Sequence, residues 1–276
     1  MNDREPGTGN RQLEVGRELD LMEARVPREP PRPHDCSEYT GPVVVMTLEF
    51  RGTSIRLVRP ADPDLLLDDP RVIDWNRRDD YMPYWAYLWP SALLLAEWVA
   101  SECVLAGPDG ADRLQTLEIG CGLGLPGLVG VARGLRVQFT DHDSAPLEFV
   151  ARSAAENRFD PGQYSIRQLD WRNLPDERFS IILGADVLYE LRLVTLVAGL
   201  LSRLLAPDGM GVIASPYRAA AQGFPAALAE VGLTCEEKSV TSRSPEGQTI
   251  EGTIYQVRRP NSIFTAGVMP PSSRPI

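Results

Sequence analysis

The sequence predicts an α/β protein: a doubly wound, mostly parallel seven-stranded sheet with an antiparallel edge, preceded by an N-terminal β-hairpin and a helix. Three observations carry this. From residue 114 onward short β-rich apolar runs alternate with runs of helical length and spacing, the order that builds a parallel sheet covered on both faces. The first strand breaks into a glycine cluster, "TLEIGCGLGLPGLVG" at 116–130. The last two strands, "CEEKSV" and "GTIYQVRR", follow one another with no helix between them, which makes an antiparallel pair.

Taken in order, residues 1–38 are crowded with charges and five prolines, "PREPPRPHD" being densest. Such a segment buries too little apolar surface to offset its ordering entropy and reads as a disordered tail. The domain spans 39–259. Its hairpin, 42–60, is "VVVMTLEF" and "TSIRLVRP" around "RGT". A helical segment, 69–113, contains "WPSALLLAEWVASECVL", with Pro90 and Ser91 as the start signal. The core, 114–259, runs through strand "LQTLEI", helix "PGLVGVARG", strand "RVQFTD", helix "SAPLEFVARSAAENR", strand "SIRQLD" and strand "RFSIILGADV". Helix "LRLVTLVAGLLSRLL", stopped by "APDG", then leads to strand "GMGVIASP", helix "AAAQGFPAALAEVG" and the closing pair. Residues 260–276, rich in proline and serine, read as a flexible tail.

Composition narrows the function. A chain of 276 residues with 43% hydrophobic content buries one large core with extras. A net charge of −10 opposes extended contact with nucleic-acid phosphates and suits a cationic partner. Cys36, Cys103, Cys121 and Cys235 have no CxxC spacing, and there are two histidines. No disulfide framework and no metal site is indicated, and the thiols are read as reduced. The N-terminus lacks a basic start followed by an apolar core, and no apolar run reaches spanning length. The expectation is a soluble, cytoplasmic protein with no membrane partner; the oligomeric state is not legible.

In a doubly wound sheet ligands bind beyond the carboxyl ends of the strands where strand order reverses, so the glycine loop is where a nucleotide belongs. Its letters support two frames. Gly122, Gly124 and Gly127 spell the dinucleotide GxGxxG, but that frame starts two residues after the strand ends and puts Pro126 in the opening helical turn. Glu118, Gly120, Gly122 and Gly124 instead spell an acidic residue followed by GxGxG, with Gly120 ending the strand. That frame is the one used for S-adenosylmethionine, whose single nucleoside needs no pyrophosphate cradle. The glycines let backbone approach the ligand closely, and the Glu118 carboxylate lies within reach of an ammonium group. A turn with no ligand is the plain alternative.

"LEIGCGLGLPG", "FTDHDS", "LDW" and "GADVLYE", preceded by "YWAYLWPSALLLAEW", together resemble the seven-strand class I S-adenosylmethionine-dependent methyltransferases. More narrowly they resemble the group of distal-motif lysine methyltransferases, methyltransferase family 16, and its bacterial relatives. The resemblance covers about residues 42–258. It implies S-adenosylmethionine as cofactor, S-adenosylhomocysteine as product, and a protein lysine as first acceptor, with a small-molecule amine as the alternative. An NAD-type oxidoreductase and a non-catalytic binding module are the readings from other classes.

The residues are weighed beside it. Asp141 ends the second core strand, where a carboxylate reaches ribose hydroxyls in either frame; the alternative is a helix cap, a place Asp143 or Ser144 also fits. Asp170 and Trp171 resemble the family's adenine pair, the carboxylate taking the exocyclic amine's hydrogen and the indole covering the ring, against plain packing for the Trp. Asp186 ends an apolar strand, where an unpaired buried charge is costly, so it faces a partner or a cleft. With Tyr189 it matches the resembled group's acidic-aromatic motif at the substrate mouth, and its alternative is a cap for the next helix. By the same resemblance Trp89 walls the methionine end of the cofactor. Cys121 and Ala185 join the cofactor-binding positions only through their places in the loop and at the strand end, Cys121 and Asn157 otherwise reading as structural. His142 sits near the ribose end, with nothing to argue for it as a base.

A sulfonium methyl is already activated, so transfer needs orientation and exclusion of water, with no metal and no covalent intermediate. The acceptor needs a free lone pair, and a lysine amine of ordinary pKa about 10.4 is mostly protonated at neutral pH. Burial lowers that pKa and a carboxylate raises it. Asp186 is therefore expected to orient the acceptor rather than activate it alone.

Overall fold

The computed structural model describes residues 39–102, 114–260 and 262. The tail readings at 1–38 and over most of 260–276, and the end of the 69–113 segment, lie outside the described residues. The hairpin is as expected: β1 (Val43–Phe50) and β2 (Thr53–Pro60) pair antiparallel with Phe50 opposite Thr53. Arg51 and Gly52 between them take φ 47° and 78°, the two positive angles that a twist-matched two-residue turn requires. Ile55 and Leu57 of β2 are fully buried.

The sheet has seven strands. They are β3 (Gln115–Ile119), β4 (Arg136–Asp141), β5 (Tyr164–Gln168), β6 (Phe179–Ala185), β7 (Leu205–Ser215), β8 (Thr234–Arg243) and β9 (Thr249–Arg258). Their order is β5-β4-β3-β6-β7-β9-β8. The pairs from β5 through β7 are parallel, and β9 runs antiparallel to both β7 and β8. The chain winds outward from β3 to β5 and then returns to β6 on the other side of β3. The carboxyl ends of β3 and β6 are thus the topological switch, which brings the glycine loop and the "ADVLYE" turn to one place.

Helices α1 (Pro70–Asp79), α2 (Pro90–Glu102), α3 (Leu125–Ala132), α4 (Ser144–Glu156), α5 (Leu191–Leu204) and α6 (Phe224–Glu230) complete the described fold. One face of the sheet packs Phe139 and Leu183 against Leu95, Leu128 and Phe149 from α2, α3 and α4; Ile55 and Leu57 of the hairpin join this core. The other packs Ile119, Ile182 and Ile213 against Val197, Leu201 and Phe224 from α5 and α6. Asn157, just past α4, donates through Nδ2 to the Arg56 carbonyl at 2.7 Å and accepts the Arg56 N–H at 2.9 Å, while Ser153 Oγ accepts the Val58 N–H. Side chains of α4 therefore satisfy the free backbone edge of β2 as a neighbouring strand would.

Two elements depart from the sequence reading. "APDG" does not end the helix before a separate strand: β7 begins at Leu205, and its register against β6 jumps from Phe179–Leu205 to Ile181–Met210. The turn residues are absorbed as a bulge. The helix expected over 219–232 begins as a 3-10 turn, Ala220–Gly223, and becomes α6 only at Phe224. Pro225 has no N–H to give a continuous helix and so sits in the first turn of a new one. No helix among the described residues is long and apolar enough to cross a membrane.

Candidate active site

The glycine loop leaves β3 with three left-handed residues, Gly120, Gly122 and Gly124, at φ 54°, 50° and 73°. A side chain at any of them is strained. A Cβ on Gly120 would lie 3.2 Å from the Trp171 ring and from Val187, and one on Gly122 would lie 3.4 Å from the Trp85 carbonyl. The loop is thus pressed between the residues after β5 and β6 on one side and the segment before α2 on the other. Cys121 is buried, and burial pushes its thiol well above the ordinary range; it packs and has no nucleophilic character.

Glu118 is 1% exposed and its Oε2 accepts the Gly127 N–H at 3.0 Å. Gly127, the residue that suggested the dinucleotide frame, has no side chain because a Cβ there would collide with Glu118 Oε2 and the Phe139 ring. Through this bond Glu118 holds the first turn of α3 to β3; its assignment to a ligand's ammonium group stays a proposal. Burial raises its pKa from the ordinary 4.5 to about 8, against the pull of the Gly127 N–H.

Asp141 closes β4 and ties it to the loop. Its Oδ2 accepts the Gly122 N–H at 2.9 Å and its Oδ1 the Asp143 N–H at 3.1 Å, leaving each oxygen one lone pair for a further donor. Asp143, not Asp141, holds the N-cap position of α4, and its side chain makes no cap bond. It accepts the Tyr81 hydroxyl at 2.7 Å instead. Burial, and then the charge of Asp141, raise its pKa to about 7.

Asp170 is held by its near neighbour. Arg172 Nε donates to both its oxygens, at 2.7 and 2.9 Å, and these bonds keep the carboxyl below the ordinary range. Its charge is compensated within the turn, so any adenine contact uses its remaining lone pairs. Trp171 lies against Gly120 as described.

Past β6 the chain makes its sharpest departure. Ala185 closes the strand opposite Ala214 of β7, and Asp186 takes φ 57°, an angle that costs a non-glycine residue energy and concentrates at functional sites. Its N–H donates to the Ala214 carbonyl at 2.9 Å. Its carboxylate is buried and accepts from Arg218 in a fork, Nε to Oδ1 at 2.6 Å and Nη2 to Oδ2 at 2.8 Å. The cap alternative is excluded, because α5 starts at Leu191 with Glu190 in the cap position. The Arg218 guanidinium carbon sits 5.8 Å from the centre of a Trp89 ring. Trp89 Nε1 donates to the Tyr84 carbonyl at 2.7 Å, and Tyr84 meets Trp89 and Tyr189 edge-on, at 6.0 and 5.7 Å. Desolvation and the charge of Glu190 push the Tyr189 hydroxyl up, although the residue stays 41% exposed.

The structure therefore brings Trp89, Asp186 and Tyr189 together and sets the loop with Asp141 and Trp171 beside them. Of the other aromatics in "YWAYLWP", Trp85 faces the core against Phe149, and Tyr87 donates to Asp64. Sequence reasoning missed Arg218 and Tyr84. The signal for Arg218 was present: Asp186 needed a cation, β7 is the neighbouring strand, and Arg218 is the one Lys or Arg between 205 and 223.

A family profile described as lysine methyltransferase matches residues 83–224, just over half of the chain. The chain belongs to the lysine methyltransferase family. S-adenosylmethionine comes with that membership as the cofactor. Among curated relatives of this lysine methyltransferase family member, histone-arginine methyltransferase METTL23 of Rattus norvegicus is 31% identical over 139 residues, 47% of this chain and 55% of the relative. EEF1A lysine methyltransferase 3 of Mus musculus is 28% identical over 137 residues, 49% of this chain and 56% of the relative. The chain thus matches about half the length of these relatives. Among solved structures, the Thermus thermophilus 16S rRNA N2 G1207 methyltransferase RsmC, in complex with AdoMet and guanosine, shares the fold at a TM-score of 0.52 and 16% identity, over 79% of this chain and 51% of that one.

Proposed function

We propose that this chain is an S-adenosylmethionine-dependent methyltransferase that acts on a basic nitrogen of a protein side chain, lysine being the first acceptor. The observation that carries the reading is Asp186: a buried carboxylate at the switch point, beside the glycine loop, that holds a guanidinium whose carbon lies 5.8 Å from the Trp89 ring, with Tyr84 and Tyr189 packed alongside Trp89. An anion with aromatic walls suits a cationic side chain.

The residues fit the cofactor. Gly120, Gly122 and Gly124 offer backbone with no side chains in the way, Cys121 turns its thiol into the core, and Glu118 braces the loop from behind. Asp141 has free lone pairs for ribose hydroxyls. Trp171 offers an indole face and Asp170 an acceptor on the adenine side, while Ala185 and Trp89 border the end where the methyl would lie. Glu118, Asp141 and Asp143 are neighbouring carboxyls whose pKa values are raised chiefly by burial.

When bound, S-adenosylmethionine supplies a methyl whose C–S bond breaks with its electrons kept by sulfur as the acceptor nitrogen's lone pair forms the new N–C bond and sheds a proton to water. The chain's own part is to orient and to exclude water. Asp186 accepts from the acceptor nitrogen and fixes its direction, and the aromatic walls strip water from the alkyl stem. A second reading, an arginine acceptor, is favoured by the guanidinium already seated on Asp186.

Incubation with cofactor labelled in the methyl group and a lysate split into protein and small-molecule fractions tests the proposal. Label is expected in protein, on lysine or arginine after hydrolysis. Label in the small-molecule fraction alone assigns the alternative acceptor, and label in neither refutes the activity.

A further inference from the structure

The cation on Asp186 is unlike the other ion pairs of the described chain. Most join side chains that are both substantially exposed, such as Arg56 with Glu156, and exposed pairs of this kind contribute little. Here the Asp186 side chain is 5% exposed and the Arg218 side chain 35%. The anion is part of the interior, whereas the cation reaches in from a residue outside regular structure, between β7 and the 3-10 turn. Leaving a carboxylate so buried without a partner is strongly destabilising, so the position opposite Asp186 has to be filled at all times. The shape of that position is also defined. Two parallel N–H bonds reach the two separate carboxylate oxygens, and a flat cation lies near the Trp89 ring. Both features select a planar guanidinium, since an ammonium is a point charge that cannot make the fork.

Resting on the reading of Asp186 as the acceptor-side carboxylate, and on arginine, the second of the acceptors given there, we propose that Arg218 occupies the acceptor's own place: Asp186 and Trp89, with Tyr84 and Tyr189 close by, form a guanidinium subsite, which Arg218 fills until an arginine side chain of the acceptor displaces it. Exchange of one guanidinium for another keeps Asp186 paired throughout, so it avoids the cost of an empty site. A neutral acceptor has no means of evicting Arg218, and a lysine evicts it at the loss of one of the two fork bonds. Arg218 is in this account a specificity residue. The chain's net charge of −10 favours the approach of the basic segment that would carry such an arginine.

The test uses the full chain with saturating S-adenosylhomocysteine, in wild type, Arg218→Ala and Arg218→Gln. The probes are methylguanidine and methylammonium, followed by tryptophan fluorescence and melting temperature. Methylguanidine is expected to bind Arg218→Ala at least tenfold more tightly than wild type, and at least tenfold more tightly than methylammonium binds the same variant. Adding Asp186→Asn should abolish the binding. Equal affinity in wild type and variant, or no preference between the probes, overturns the proposal. If Arg218→Ala does not fold, Arg218→Gln, whose amide keeps one hydrogen bond to the carboxylate, carries the same comparison. A fixed structural strut would also be rescued by methylguanidine, so kinetics separate the two roles. With labelled cofactor and a poly-arginine peptide, a placeholder predicts KM lowered at least fivefold in Arg218→Gln with kcat within threefold; KM for poly-lysine falls as well, because the same placeholder is gone, but stays above that for poly-arginine. A fall in kcat at unchanged KM makes Arg218 a strut and overturns the proposal. Asp186→Asn alone distinguishes the two levels of failure: unchanged methyl transfer there removes the acceptor-site reading, whereas depressed transfer without guanidinium selectivity in the Arg218 variants removes only the subsite.

Discussion

The backbone N–H of Gly122 donates to Asp141 Oδ2 at 2.9 Å, joining the loop after β3 to the end of β4 across 19 residues of sequence. One side chain therefore both shapes the glycine loop and presents the acceptor lone pairs assigned to the ribose. Asp141→Ala should weaken S-adenosylhomocysteine binding by about tenfold to a hundredfold, the equivalent of about 1.5–3 kcal/mol for hydrogen bonds to a charged group. Calorimetric titration checks it. Unchanged affinity would move the ribose site elsewhere.

Stability should fall as pH rises through neutrality. Glu118, raised from 4.5 to about 8, and Asp143, raised from 3.8 to about 7, keep protons in the folded chain that the unfolded chain has already released. The stability this gives is full below the unfolded values and is lost as pH rises through about 7 and then about 8. The melting temperature of the free protein is expected to drop between pH 5.5 and 8.5, and Glu118→Gln should flatten the drop. A cationic ligand favours the ionised carboxyls, so S-adenosylmethionine should protect more at pH 8 than at pH 6. A melting temperature that rises steadily over this range contradicts the assignment.

Glycines in the chain should respond with opposite signs. Gly127→Ala pushes a methyl into Glu118 and Phe139 and is expected to cost about 1–3 kcal/mol or more. Gly199, inside α5, has nothing within 4 Å of a Cβ. Its replacement by Ala should stabilise by about 0.5–1 kcal/mol through helix propensity. Urea unfolding of the two variants reads both signs.

The hairpin is held by one side chain more than by its exposed ion pair. Asn157→Ala removes both bonds to the Arg56 backbone and should cost about 1–3 kcal/mol, with faster hydrogen exchange at the Arg56 amide. Glu156→Gln, which breaks the surface pair with Arg56, should cost less than about 1 kcal/mol.

What was legible in the sequence was periodic or local. Strand alternation marked the parallel sheet, the glycines at 120, 122 and 124 marked a loop of bare backbone after the first strand, and Asp186 could be singled out because a strand such as "SIILGA" does not end in a charge without a partner or a cleft. What was not legible depended on pairing between distant residues. The inward turn of Glu118 depends on Gly127 approaching it across the first turn of α3, and the fork at Asp186 depends on β7 delivering Arg218 from 32 residues away. The bulge in β7 was hidden for the same reason, because "APDG" carries a turn signal that pairing with β6 overrides.

Asp186→Asn tests the central claim most directly, with methyl transfer to protein and S-adenosylhomocysteine affinity measured on the same preparation. The substitution keeps the size and one acceptor oxygen and removes the charge. A group that acts on the acceptor and not on the cofactor lowers turnover alone. The account predicts at least a tenfold fall in kcat with the S-adenosylhomocysteine Kd within about threefold. Unchanged turnover, or a loss of cofactor affinity equal to the loss of turnover, would contradict it.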